Sequence, residues 1–259
     1  MTPLIDLSGR AVVVTGGNDG IGLGVARGLV RCGARVAVLG RRAEANGAAV
    51  AELCDLAPDE PGAAVGLVCD VGSEEQVVAA FRAARDELGP IRGVVACAGA
   101  ASPGTPFLEQ TLDDWRPVMR TNLEGAFLTF REAARAMVAD GVAGSLVAVA
   151  SLAATQGQVR GQQYAASKGG IVALARSCAV ELARHGIRAN TIVPGAFTTR
   201  LSEPFQSDER YAAKVLPRIP LRRWGAPDEV AGVAAYLVSD AAAYHSGDVL
   251  TVDGGYSVF

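Results

Sequence analysis

Histidine, lysine and aromatic side chains are scarce in this chain of 259 residues, and its cysteines follow no pattern. The two histidines, His185 and His245, sit in no HExxH motif and beside no carboxylate cluster, which argues against a zinc hydrolase. No GxSxG elbow occurs, which argues against a serine hydrolase. Both histidines read as structural. His185 precedes Gly186 at a helix end that suits a cation, and His245 lies in a Tyr-His-Ser-Gly turn. Cys32, Cys54, Cys69, Cys97 and Cys178 show no CxxC or other ligand spacing, so no metal is expected and the thiols read as reduced, as in a cytoplasmic protein. There is no basic block, and a net charge of −3 argues against a nucleic acid partner. No apolar run approaches the ~18 residues of a membrane-spanning helix. Met1 to Asp6 lack the basic start and apolar stretch of a signal peptide.

Hydrophobic residues make up 50% of the chain and charged residues 20%, enough apolar material for a large core without a metal or disulfide staple. Short β-branched runs at 11–15, 35–39, 64–68, 93–96, 145–150, 187–193 and 248–252 read as strands. Most are apolar throughout, as in parallel strands buried on both faces. Helical patterns lie between them near 21–32, 43–56, 74–88, 113–140, 162–184 and 227–238. Ser73-Glu74-Glu75-Gln76 has the form of a capping box. This alternation predicts a doubly wound α/β fold, a seven-stranded parallel sheet flanked by helices. No repeat or linker divides the chain, so 1–259 reads as one domain. Residues 196–226, with Pro204, Pro217, Pro220 and Gly225, read as an irregular mobile flap at the strand edge where ligands bind.

The first strand runs into Gly16-Gly17-Asn18-Asp19-Gly20-Ile21-Gly22-Leu23-Gly24 and then a helix. Glycines there admit a pyrophosphate close to the backbone, and the helix start offers free N–H groups and a positive dipole end. The second strand ends at Leu39-Gly40-Arg41-Arg42, where an NAD site needs an acid; arginine instead suits a 2′-phosphate. Asp19 opposes that phosphate, yet the balance favours NADP(H) over NAD(H). Asp70 either accepts from the adenine amino group or caps the helix after Gly72.

Tyr164-Ala165-Ala166-Ser167-Lys168 puts a phenol and an ammonium on one helix face. At a separation of about 4 Å an ammonium lowers a phenol pKa by up to ~3 units, towards the range of acid–base catalysis. Of 24 basic residues only Lys168 and Lys214 are lysine, so lysine at this position is itself a signal. Ser151 ends the fifth strand, where its hydroxyl can hold a carbonyl oxygen, and Asn122 interrupts a helical pattern it suits poorly.

Thr15-Gly16-xxx-Gly20-Ile21-Gly22, Asn122, Ser151, Tyr164-xxx-Lys168 and Pro194-Gly195-xxx-Thr199 together resemble the short-chain dehydrogenase/reductase family over almost the whole chain. The tail, Pro220 to Val230 and Val252-Asp253-Gly254-Gly255, is similar to its carbonyl-reductase branch. The resemblance implies a Rossmann fold, a homotetramer and hydride transfer between NADP(H) and a ketone/secondary-alcohol pair. It makes Tyr164 the proton donor or acceptor. Lys168 would bind the nicotinamide ribose, Ser151 orient the carbonyl and Asn122 support a relay water. Gly16, Asn18, Asp19, Ile21, Gly22, Arg41, Arg42, Asp70, Val71, Ala98, Gly99, Pro194, Gly195 and Thr199 would line the cofactor. One departure is Ala96-Cys97-Ala98-Gly99, where the family usually has Asn-Asn-Ala-Gly, and it bears on stability more than chemistry. The substrate is open between a 3-oxoacyl thioester and a sugar-derived or cyclic ketone, with Phe197, Phe205, Tyr211 and Trp224 as an apolar wall or as flap packing. A non-catalytic dinucleotide sensor or scaffold is the rival reading, and retention of Ser151, Tyr164 and Lys168 together speaks against it.

Overall fold

The computed structural model describes residues 4–60, 62–200 and 202–259, apart from the side chains of Pro204 and Phe205. Met1 to Pro3 and the Phe205 side chain, both invoked above, lie outside that description. Seven strands, β1 (Ala11–Thr15), β2 (Arg35–Gly40), β3 (Ala64–Val68), β4 (Ile91–Ala96), β5 (Gly144–Val149), β6 (Ile187–Pro194) and β7 (Val249–Val252), lie close to the expected runs. They pair in parallel in the order β3-β2-β1-β4-β5-β6-β7, the doubly wound Rossmann arrangement.

Alternation along β1 explains the two layers. Ala11 and Val13 enter one core, with Phe81 of helix α3 (Glu74–Leu88). Val12 and Val14 enter the other, with Val25 and Leu29 of α1 (Gly20–Arg31) and Leu53 of α2 (Ala43–Asp55). The expectation of strands buried on both faces fits the centre of the sheet and fails at its edges. Strand β3 alternates, leaving Val68 57% exposed, because no strand lies beyond it.

The stretch read as one helix over 113–140 is three pieces. Helix α4 (Leu112–Met119) passes through a π-turn (Arg120–Glu124) into α5 (Gly125–Asp140). Helix α6 (Gln162–Leu182) follows β5. Residues 196–226 are less irregular than their prolines suggested. They carry α7 (Glu203–Gln206) and α8 (Glu209–Val215), and the Asp208 side chain caps α8 by accepting from Arg210 and Tyr211 N–H. A 3-10 turn (Pro227–Val230) then leads into α9 (Ala231–Val238), which completes the layer over α1.

Ser73 caps α3, so Asp70 does not. The box is half-formed: Ser73 accepts from Gln76 N–H, whereas the Gln76 side chain accepts from Asp70 N–H. Both histidines have structural partners. His185 accepts from the Arg184 guanidinium, and His245 bridges the Tyr236 hydroxyl and the Asp248 carboxylate. No helix among the described residues is long and apolar enough to cross a membrane.

Candidate active site

The sheet order reverses between β1 and β4, which opens a crevice at the carboxyl ends of those strands. The glycine loop fills its near side. Gly16 sits at φ +66°, a conformation that favours glycine, and donates its N–H to Leu39 O at 2.7 Å. A Cβ on Gly22 would collide with the Gly16 carbonyl oxygen, so the loop folds onto the helix start only without a side chain there. Gly24 serves packing, since its Cβ would lie 2.5 Å from the Pro227 backbone.

Asp19 occupies the N-cap position of α1 yet makes no side-chain capping bond. The first-turn N–H groups are thus left for an anion, as a dinucleotide pyrophosphate requires. The cradle fits that group. Gly22→Val should therefore abolish dinucleotide binding in a fluorescence titration; binding at wild-type affinity would refute the cradle.

At the adenosine end, Asn18 donates to Asn46 Oδ1 at 2.6 Å. Asn46 is buried in α2 and donates in turn to Gly40 O and Leu67 O, both at 2.9 Å, so one amide ties the loop to β2 and β3. The sequence reading missed Asn46; a buried-face asparagine inside a helix was the available signal, the same one used for Asn122. Arg41 and Arg42 are exposed where β2 ends, and Arg41 makes no ion pair among the described residues. Asp70 accepts from Gly72 N–H at 3.0 Å and from Arg120 at 2.9 Å. Burial raises its pKa, but these two partners and the charge of Arg41 together outweigh burial and leave the carboxyl below its ordinary value. Val71 is buried against Gly125.

Across the crevice, Thr15 Oγ1 accepts from the N–H groups of Cys97 and Ala98, each at 3.2 Å. The end of β4 is therefore held to β1 through its backbone. Burial pushes the Cys97 thiol up to about 11 even beside Lys168, so it stays neutral near pH 7.

Tyr164 and Lys168 share a face of α6, and Ser151 lies near enough to the phenol to act on its pKa. The Ser151 hydroxyl also accepts from Ala153 N–H at 3.2 Å. Lys168 Nζ lies 5.6 Å from the phenol ring centroid and donates to Val149 O at 2.9 Å. Burial lowers the lysine pKa to about 8. Burial also raises the Tyr164 pKa, and the nearby Ser151 hydroxyl offsets part of that rise. The expected lowering of the phenol by Lys168 is thus corrected: desolvation of the buried phenol wins.

Asn122 is fully buried in the π-turn, a form found often at functional sites. Its amide donates to Ala100 O and Ser167 Oγ, both at 3.1 Å, and its oxygen accepts from Ala100 N–H at 2.7 Å. Both amide hydrogens are committed, and the second lone pair of its oxygen is left to accept from a water. Gly99 lies between this asparagine and Lys168: a Cβ there would be 3.5 Å from Asn122 Oδ1 and 3.7 Å from Lys168 Nζ.

Pro194 and Gly195 close the far side. Gly195 N–H donates to Val252 O at 2.9 Å, and a Cβ on it would lie 2.6 Å from that of Asp253. Thr199 donates its N–H to Ser202 Oγ at 3.0 Å. Phe197 is buried in the core beneath and packs against Gly225. Tyr211 and Trp224 stack with centroids 6.4 Å apart.

A phosphate cradle facing a Ser–Tyr–Lys cluster across the switch point of a parallel sheet defines a dinucleotide-dependent oxidoreductase of the Rossmann class. The family model described as enoyl-(acyl carrier protein) reductase matches residues 16–257, and the chain belongs to the short-chain dehydrogenase/reductase family. It is 35% identical over 258 residues to the acetoacetyl-CoA reductase of Synechocystis, spanning 97% of this chain and 98% of that one. It is likewise 35% identical to the 5-keto-D-gluconate 5-reductase of Escherichia coli K12, spanning 100% and 99%. The crystal structure of a gluconate 5-dehydrogenase from Burkholderia cenocepacia, in complex with NADP and tartrate, superposes with a TM-score of 0.91 at 34% identity, covering 98% of both chains. The chain is an NAD(P)-dependent oxidoreductase acting on carbonyl and alcohol groups.

Proposed function

We propose that this enzyme interconverts a ketone and a secondary alcohol with NADP(H) in preference to NAD(H), using Tyr164, Lys168 and Ser151 as its proton-transfer group. The observation that carries this reading is the placing of Ser151 beside the Tyr164 phenol, next to buried Lys168, at the mouth of the glycine cradle. Bound NADP(H) supplies or accepts the hydride. Tyr164 gives its proton to the developing alkoxide or takes it from the alcohol. Ser151 donates to the same oxygen and fixes it beside the phenol. Lys168, held by Val149 O, is placed for a ribose hydroxyl, and Asn122 keeps the 99–100 turn and α6 in register. Gly16, Asn18, Ile21, Gly22, Val71, Ala98, Gly99, Pro194, Gly195 and Thr199 line the cofactor. Asp70, already engaged by Gly72 and Arg120, has its remaining acceptor capacity for adenine.

Arg41 and Arg42 are the donors for the 2′-phosphate. Arg41→Ala is expected to weaken NADPH binding about tenfold with NADH nearly unchanged, as one charge-assisted contact is worth ~1.5–3 kcal/mol. Equal weakening of both in fluorescence titrations would contradict the assignment. In this reading 1–259 is one domain and 196–226 covers the substrate, with the Tyr211–Trp224 stack as an apolar wall. A homotetramer accounts for Phe127 on α5 and Val180 on α6, which are 44% and 82% exposed.

A further inference from the structure

Residues 19–20 of the glycine loop meet residues 199–200 at the base of the 196–226 segment. Thr199 packs on Gly20 so closely that a Cβ there would be 3.2 Å from the threonine Cβ and Cγ2. Thr199 is itself anchored, its N–H on Ser202 Oγ, whose hydroxyl reaches Phe197 O at 2.6 Å. Phe197 is buried in the core, so the residue after Thr199 leaves from a fixed base.

That residue is Arg200, and its Nε donates to Asp19 Oδ2 at 2.6 Å. The nearest Arg42 nitrogen is 3.7 Å from the same oxygen. Asp19 is the only carboxylate in the loop from Gly16 to Gly24, and it stands between the cradle and the end of β2. Left alone, it would repel a 2′-phosphate and hold Arg42 away from one. The pair is partly exposed, 66% for Arg200 and 37% for Asp19, so it adds little to folding stability. Its consequence lies in the charge it removes from the phosphate site.

We propose that Arg200 is a cofactor-specificity residue: its guanidinium cancels the Asp19 carboxylate and frees Arg42 for the 2′-phosphate of NADP(H). This rests on the NADP(H) reading above. It places one determinant of coenzyme choice about 180 residues from the glycine loop, in the segment that covers substrate. NADH lacks the phosphate and is indifferent to the pair, which separates this role from a general one in holding the segment.

The test is a fluorescence titration of NADPH and NADH with the wild type, Arg200→Gln, Asp19→Asn and the double variant, with a thermal melt for each. Arg200→Gln is expected to lower the NADPH-to-NADH affinity ratio about fivefold, the scale of one partly screened charge. Asp19→Asn should keep the ratio at or above the wild-type value, and Arg200→Gln should then have no further effect. The proposal is overturned if Arg200→Gln weakens both coenzymes equally, or if its effect on the ratio persists in the Asp19→Asn background. A wild type that favours NADH, with the coupling intact, would refute the NADP(H) preference and leave the role of Arg200 standing.

Discussion

Replacing Tyr164 by Phe is expected to lower turnover about a thousandfold while changing dinucleotide affinity less than about twofold. A positioned acid–base group contributes ~10²–10⁴ in rate, and the phenol beside Ser151 is the proton-transfer group proposed above. The ring stays, so packing on α6 is kept and a loss of folding does not confound the result. Burial raises the phenol pKa, and this gives a sign to the pH dependence. Carbonyl reduction needs the protonated phenol, so its rate should hold through neutral pH and fall on the alkaline side. Alcohol oxidation needs the phenolate and should rise with pH. Turnover of Tyr164→Phe at the wild-type rate would remove the phenol from the chemistry.

Lys168→Met should abolish turnover and yet stabilise the fold at neutral pH. The lysine pKa is about 8 in the folded protein against an ordinary 10.5, because burial disfavours the charged form. The unfolded chain therefore binds the proton more tightly, and folding opposes charging. Below pH 8 the penalty is complete, at about 3 kcal/mol. It fades as pH rises from 8 to 10.5 and is absent above, where both states are neutral. Methionine removes it but leaves Val149 O without its donor, at about 1 kcal/mol, for a net gain of about 2 kcal/mol. Denaturation of both proteins at pH 7 and pH 10.5 checks this: the advantage of Lys168→Met should shrink or reverse at the higher pH. A variant less stable than wild type at pH 7 would mean that the buried ammonium is a net stabiliser.

That trade of stability for chemistry fits what could be read from the chain alone. Short β-branched apolar runs such as Val12-Val13-Val14, bounded by turn residues, fit strands covered on both faces, so sheet and layers were legible from the pattern. Tyr164 and Lys168 were legible because both sit on one helix, at a fixed spacing. The direction of the phenol shift was not, since desolvation depends on everything packed around the ring. The π-turn at Asn122 escaped for a related reason: helical periodicity continues across it, and only poor asparagine propensity hinted at a break. Asn46 and Arg200 act through partners brought near by the fold, and local patterns carry no record of such pairings. The helices of 196–226 were hidden by prolines, although Pro204 and Pro217 sit in the first turns of their segments, where proline is tolerated.

The most direct measurement is deuteride transfer. The protein is incubated with NADPH deuterated at the nicotinamide C4 position and a panel of 3-oxoacyl thioesters, keto-sugar acids and cyclic ketones, and the products are weighed by mass spectrometry. The account predicts deuterium on the carbinol carbon of at least one product, formed by the wild type and lost in Tyr164→Phe. Tight NADPH binding with no label transferred to any member of the panel would contradict it and favour a dinucleotide sensor on the same fold.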